Sequence, residues 1–123
     1  MTIPEGLARG IYYLFLIAEV HPFADGNGRL SRLVMNAELS RVERSRTIIP
    51  TLFHPQFVDC LRALTHGGET EPLIKAISRM ASWCARFDYA DLVKLISTMR
   101  ATHAFEESPA EFHLLNADGS RAA

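Results

Sequence analysis

Two stretches of helical periodicity flank a break that no helix can cross, His21-Pro22-Phe23-Ala24-Asp25-Gly26. Proline removes a main-chain donor and glycine favours non-helical backbone, so the chain must turn here. Upstream, Leu7, Ile11, Leu14, Phe15 and Ala18 recur at helical spacing and predict a helix ending near Val20. Thr2-Ile3-Pro4-Glu5 reads as its capping box. Downstream, a second helix is predicted from Asn27 to about Arg44, burying Leu30, Leu33, Val34 and Ala37. The first constraint on the fold is therefore a helix–loop–helix with a rigid, glycine-bearing turn.

The rest of the chain continues in helices. Thr47-Ile48-Ile49-Pro50 is a short extended connection, and His54-Pro55 opens a third helix with Phe57, Val58, Leu61 and Leu64 inward. Gly67-Gly68 stops it, and Thr70 with Pro72 opens a fourth through Leu73, Ile74, Ile77, Met80, Ala81 and Cys84. Asp88, with Asp91 three residues on, is read as the cap of a fifth helix carrying Leu92, Leu95, Ile96 and Met99. No strand pair stands out, so the predicted class is all-α. Residues 1–105 form one domain in this reading, and the acidic, small-residue segment 106–123 is a loosely ordered tail.

At 123 residues, 48% hydrophobic and 22% charged, the chain fits one soluble domain. Its formal net charge of −1 argues against a nucleic-acid or anionic-membrane partner. The apolar run from Ile11 to Ala18 is too short to span a bilayer, and no signal peptide is read at the start. Cys60 and Cys84 lack metal-ligand spacing and are read as reduced, packed thiols of a cytoplasmic protein. Arg41, Arg44 and Arg46 read as a solvated face; His54 starts a helix, while His66, His103 and His113 have no metal-ligand partners.

The turn itself carries chemistry. Histidines exchange a proton near neutral pH, which suits His21 to a general base. Phe23, apolar between polar neighbours, is expected to point into the core as the loop anchor. Asp25 offers the hard oxygen that Mg²⁺ prefers when it bridges phosphates. Gly26, Asn27 and Gly28 bring main-chain N–H groups to a helix start, where the helix dipole also attracts an anion. Asn27 is a candidate helix cap or phosphate donor. Arg29 and Arg32, on neighbouring faces of the first helical turns, can grip phosphate with paired donors. The plainer alternatives are a loop histidine, a turn aspartate and a solvated helix arginine at His21, Asp25 and Arg32. Together the residue types describe phosphate-ester chemistry.

His21-Pro22-Phe23-Ala24-Asp25-Gly26-Asn27-Gly28-Arg29, extended to Arg32, resembles the HPFx(D/E)GNGRxxR signature of the Fic family and agrees with it at every specified position. Residues 50–105 are also similar to the C-terminal helices of bacterial Fic proteins. The resemblance implies AMP transfer from ATP, with Mg²⁺, to a Ser, Thr or Tyr hydroxyl of a target protein. His21 would be the base, Asp25 the metal ligand, and Gly26, Asn27, Gly28, Arg29 and Arg32 the phosphate site. The related Doc branch carries lysine at the position of Gly28 and phosphorylates its target, so glycine favours AMP transfer.

Fic domains place helices and a β-hairpin flap before the motif, whereas twenty residues precede His21; the chain is thus read as the C-terminal part of such a domain. The family's inhibitory (S/T)xxxE(G/N) pattern is not completed at Glu5-Gly6, Thr65–Glu69 or Thr102–Glu106. Control by an antitoxin or another inhibitory segment, and self-association, remain expected partners. The rival reading is a non-catalytic Fic remnant or interaction module, or a Doc-like phosphotransferase.

Overall fold

The computed structural model describes residues 5–42, 44 and 46–122, and within them the fold is all-α. Helix α1 spans Glu5–Val20, α2 Asn27–Arg41, α3 His54–Gly67, α4 Glu71–Ala85 and α5 Leu92–Ala101. A single 3₁₀ turn, Thr51–Phe53, leads into α3. No strand occurs among the described residues; one bridge pairs Leu115 with Arg121. No helix is long and apolar enough to cross a membrane. The expected capping box at Thr2 lies outside the described residues, apart from Glu5.

The α1–α2 hairpin carries the turn, and two small residues set how closely it closes. A side chain at Gly10 would meet the Met35 Cγ at 3.2 Å and the Met35 carbonyl at 3.3 Å. A Cβ at Gly6 would come within overlap distance of the Val42 side chain. Met35 and Leu39 therefore press into the groove that Gly10 leaves, and both are fully buried. This packing corrects the expected inner face of α2. Asn27, Ser31, Met35 and Leu39 are buried, while Leu33 is 67% exposed, Ala37 is exposed and Leu30 and Val34 are only half-buried. Burying Asn27 and Ser31 costs little because both bond to main chain, Ser31 Oγ donating to the Gly28 carbonyl at 2.7 Å.

Helix α2 also ends earlier than expected, with Val42 as its cap. Asn36 supplies the reason. Its Oδ1 accepts the Thr47 N–H at 2.7 Å, and its Nδ2 donates to the Thr47 carbonyl at 3.0 Å. The chain must turn back after Arg41 to reach that partner.

Helix α4 lies at the centre, with Leu73, Ile77, Met80 and Cys84 fully buried. The extended connection is tied to it where Cys84 Sγ accepts the Ile48 N–H at 3.1 Å. Burial pushes the Cys84 thiol above its ordinary range, the Ile48 N–H working against that rise. Burial likewise pushes Tyr89 up to about 12, and the adjoining Cys84 adds to it. The Tyr89 hydroxyl donates to the Cys84 carbonyl at 2.7 Å. At α5 the cap is Asp91, whose side chain accepts the Lys94 N–H at 3.2 Å; Asp88 instead closes the preceding turn onto Ala90.

Residues 106–122 pack more closely than the expected loose tail. Leu114 is buried, Trp83 Nε1 donates to the Leu115 carbonyl at 2.9 Å, and the Leu115 N–H bonds to the Thr102 carbonyl at 3.0 Å. Trp83, edge-on to Phe87 with ring centroids 4.7 Å apart, offers an indole N–H that needs an acceptor. The tail supplies it.

Candidate functional site

The turn begins where α1 stops. The His21 N–H bonds to the Ile17 carbonyl at 3.0 Å, and His21 itself has φ of 54°, a left-handed conformation uncommon outside glycine. The same conformation terminates many helices, usually with glycine in that place. A histidine here is strained by its own backbone, and its imidazole is exposed to solvent. Strain retained at one residue is a reason to look for chemistry there.

Phe23 does not anchor the loop. Its ring is 58% exposed, and the anchor is the next-but-three residue, Asn27, only 4% exposed. Asn27 Oδ1 accepts the Phe23 N–H at 3.0 Å, and Asn27 Nδ2 donates to the Phe23 carbonyl at 2.6 Å. The amide thus pairs with Phe23 as a neighbouring strand would. Asn27 is thus the first residue of α2 rather than its cap, and its amide faces the loop backbone. The signal was present in the sequence, because a carboxamide side chain carries both the acceptor and the donors that a peptide N–H and C=O need.

Gly26 caps α2 with φ of 81°, and as a glycine it has no side chain to bond the first N–H groups of the helix. The first N–H groups of a helix have no partner within it. The positive end of the helix dipole lies with them, an arrangement that can attract an anion. Asp25 accepts the Gly26 N–H at 2.7 Å on Oδ1, and its Oδ2 stands 3.7 Å from Arg29 Nη2. Both side chains are open to solvent, so this ion pair adds little to stability.

The two arginines arch over the two glycines. A Cβ on Gly26 would meet Arg29 Nη2 at 3.6 Å, and one on Gly28 would meet Arg32 Nη1 at 3.5 Å. The structure therefore brings Asp25, Gly26, Gly28, Arg29 and Arg32 together around one helix start, with His21 at the other end of the same turn. Among the described residues no three His, Cys, Asp or Glu side chains cluster to hold a metal. A lone exposed carboxylate does suit Mg²⁺, which keeps several waters and takes one or two carboxylates plus phosphate oxygens.

Residues 4–39 match the family model described as Fic/DOC family. The protein adenylyltransferase Fic of Drosophila mojavensis is 38% identical over 64 residues, which is 52% of this chain and 12% of the relative. The adenylyltransferase Fic of Drosophila grimshawi is likewise 38% identical over 64 residues, and that of Drosophila melanogaster 36%. In each the matched stretch is 52% of this chain and 13% of the relative. The chain thus spans about an eighth of the length of these relatives. These relatives are insect proteins. No solved structure matches the chain.

Proposed function

We propose that this chain, which carries a Fic/DOC-family segment over residues 4–39, transfers AMP from ATP to a hydroxyl side chain of a target protein. The observation that supports it best is the helix start at Gly26–Gly28, open to an anion and arched over by Arg29 and Arg32, at one end of a turn whose other end presents an exposed His21. His21 takes the proton from the attacking hydroxyl, making it a better nucleophile toward the α-phosphorus. The N–H groups at the start of α2 and the two guanidinium groups receive charge that spreads over the phosphates as pyrophosphate leaves. Asp25 is the residue that would hold Mg²⁺, and the bound ion supplies electrostatic screening of the phosphate oxygens. Gly28 carries no side chain of its own, so the polyphosphate can approach its backbone beneath the Arg32 guanidinium.

The relatives named adenylyltransferase support the choice of AMP over phosphate transfer. Incubation of the chain and a protein extract with ATP labelled at the α- or the γ-phosphate tests it. Label from the α-position alone supports AMP transfer, and label from the γ-position alone would replace it with phosphorylation.

A second reading, an interaction module without turnover, draws on exposed apolar side chains around the hairpin: Tyr12, Leu16, Val20, Phe23 and Leu33. Size-exclusion chromatography and melting with and without Mg²⁺ and ATP separate the two. A monomer stabilised by nucleotide supports the transferase, and an aggregate indifferent to nucleotide supports the module.

A further inference from the structure

Helix α4 buries Leu73, Ile77, Met80 and Cys84 on one side and carries Arg79, Ser82 and Arg86, at i, i+3 and i+7, on the other. These three line a hollow of about 260 Å³ with Trp83 and, from the tail, Asn116 and Ala122. Both arginines are exposed, and neither makes an ion pair or a hydrogen bond among the described residues. Asp118 stands near enough to feel Arg86. Its carboxyl is held below the ordinary range by the Ser120 hydroxyl and N–H, with the Arg86 charge a lesser aid. It accepts those two Ser120 groups at 2.6 and 2.8 Å, and so offers Arg86 attraction without a bond. The two guanidinium stems start about 10 Å apart along the helix, a span that both can close onto one anion set between them. We propose that this hollow is a second anion site, built for the phosphate group of a phosphate monoester and sharing no residue with the turn at His21–Arg32.

A phosphate monoester carries about two negative charges at neutral pH and three acceptor oxygens. Two arginine forks and the Ser82 hydroxyl supply donors for all three, whereas a carboxylate with two oxygens leaves one arginine idle. The hollow is larger than a phosphate group, and its remaining wall, Trp83 and Ala122, is apolar, which suits the carbon side of an ester. Asn116 and Ala122 belong to the segment that the Trp83 N–H already ties to α4 through the Leu115 carbonyl. An occupant touches helix and tail together and fastens one to the other.

Trp83 is the chain's single tryptophan and lines the hollow, so its emission reports on this place. The full chain is titrated with O-phosphoserine, inorganic phosphate and L-serine, followed by Trp83 emission and by calorimetry. O-phosphoserine is expected to saturate at a lower concentration than inorganic phosphate, and L-serine to give no signal. Arg79→Gln and Arg86→Gln should each raise the O-phosphoserine midpoint about five- to tenfold, the loss of one charge-assisted contact. Asp118→Asn, which removes the competing charge beside Arg86, should lower it. Arg32→Gln, a change in the turn, should leave it within about twofold. Arg79 and Arg86 are exposed, so melting curves of their variants without ligand should match the native one. Absence of saturation by both methods, or midpoints unmoved in Arg79→Gln and Arg86→Gln, would overturn the site. A midpoint moved by Arg32→Gln alone would put the anion at the turn, and the hollow's assignment would fall. Inorganic phosphate binding as tightly as O-phosphoserine would overturn the monoester assignment.

Discussion

The Asn27 amide pairs with both main-chain groups of Phe23, accepting at 3.0 Å and donating at 2.6 Å, and so fixes the turn between α1 and α2. A second asparagine of the same helix, Asn36, holds Thr47 in the same manner. Helix α2 thus clamps the chain on either side of itself, through polar side chains rather than its apolar ones.

Replacing Asn27 by alanine leaves the Phe23 N–H and carbonyl without their partner. The expected cost is about 1–3 kcal/mol in urea unfolding. Transfer activity should fall further than stability explains, by about 100-fold, because the turn that positions His21 is released. Unchanged stability in Asn27→Ala would show that the clamp is dispensable.

His21 sits at φ of 54°, where glycine is at ease and other residues are strained. His21→Gly should therefore raise stability, by up to about 1 kcal/mol, while abolishing transfer. Unfolding curves and a transfer assay on one preparation read both effects. A destabilised His21→Gly would mean that the imidazole contributes packing the exposed position does not suggest.

Gly6 faces Val42 too closely to accept a side chain. Alanine gains about 1 kcal/mol of helix propensity there, but overpacking of the hairpin costs about 1–3 kcal/mol, so Gly6→Ala should be neutral to destabilising by about 2 kcal/mol. Thermal melting checks the sign. A clear rise in melting temperature would show that α1 and α2 separate without cost.

Stability should fall in alkali. The Cys84 thiol and the Tyr89 hydroxyl are both raised above their ordinary values of 9.0 and 10.0, Tyr89 to about 12. The folded state keeps protons that the unfolded chain releases, so stability is full below about pH 9 and declines as pH rises toward 12. Unfolding midpoints from pH 8 to 11 should show this decline, and Cys84→Ala should flatten its lower part. A midpoint constant over that range contradicts the assignment.

The helix–loop–helix and the five-helix order were legible because Pro22, Gly26 and Gly67-Gly68 interrupt strong 3.6-residue periodicity. The inner face of α2 was not. Its apolar residues Leu30, Leu33, Val34 and Ala37 form a tidy stripe, yet the helix turns Met35 and Leu39 inward. What decides this is the space above Gly10 on another helix, which is no property of α2's own apolar pattern, together with the two asparagine clamps of α2. The motif residues were named from the sequence, but the exchange of roles between Phe23 and Asn27 was not. An aromatic in a polar loop looks like an anchor until the packing shows which side of it is covered. Residues 106–122 are held by long-range contacts, the buried Leu114, the Trp83 N–H on the Leu115 carbonyl and the Leu115 N–H on the Thr102 carbonyl, and such contacts have no local signature.

The most direct test of the account compares the native chain with His21→Ala, each given α-labelled ATP and a protein extract, alongside ATP affinity. The native chain is predicted to label target protein. His21→Ala is predicted to bind ATP within about threefold of native and to label nothing above background, because the base is lost while the phosphate site at Gly26–Arg32 remains. Equal labelling by both chains would contradict the account.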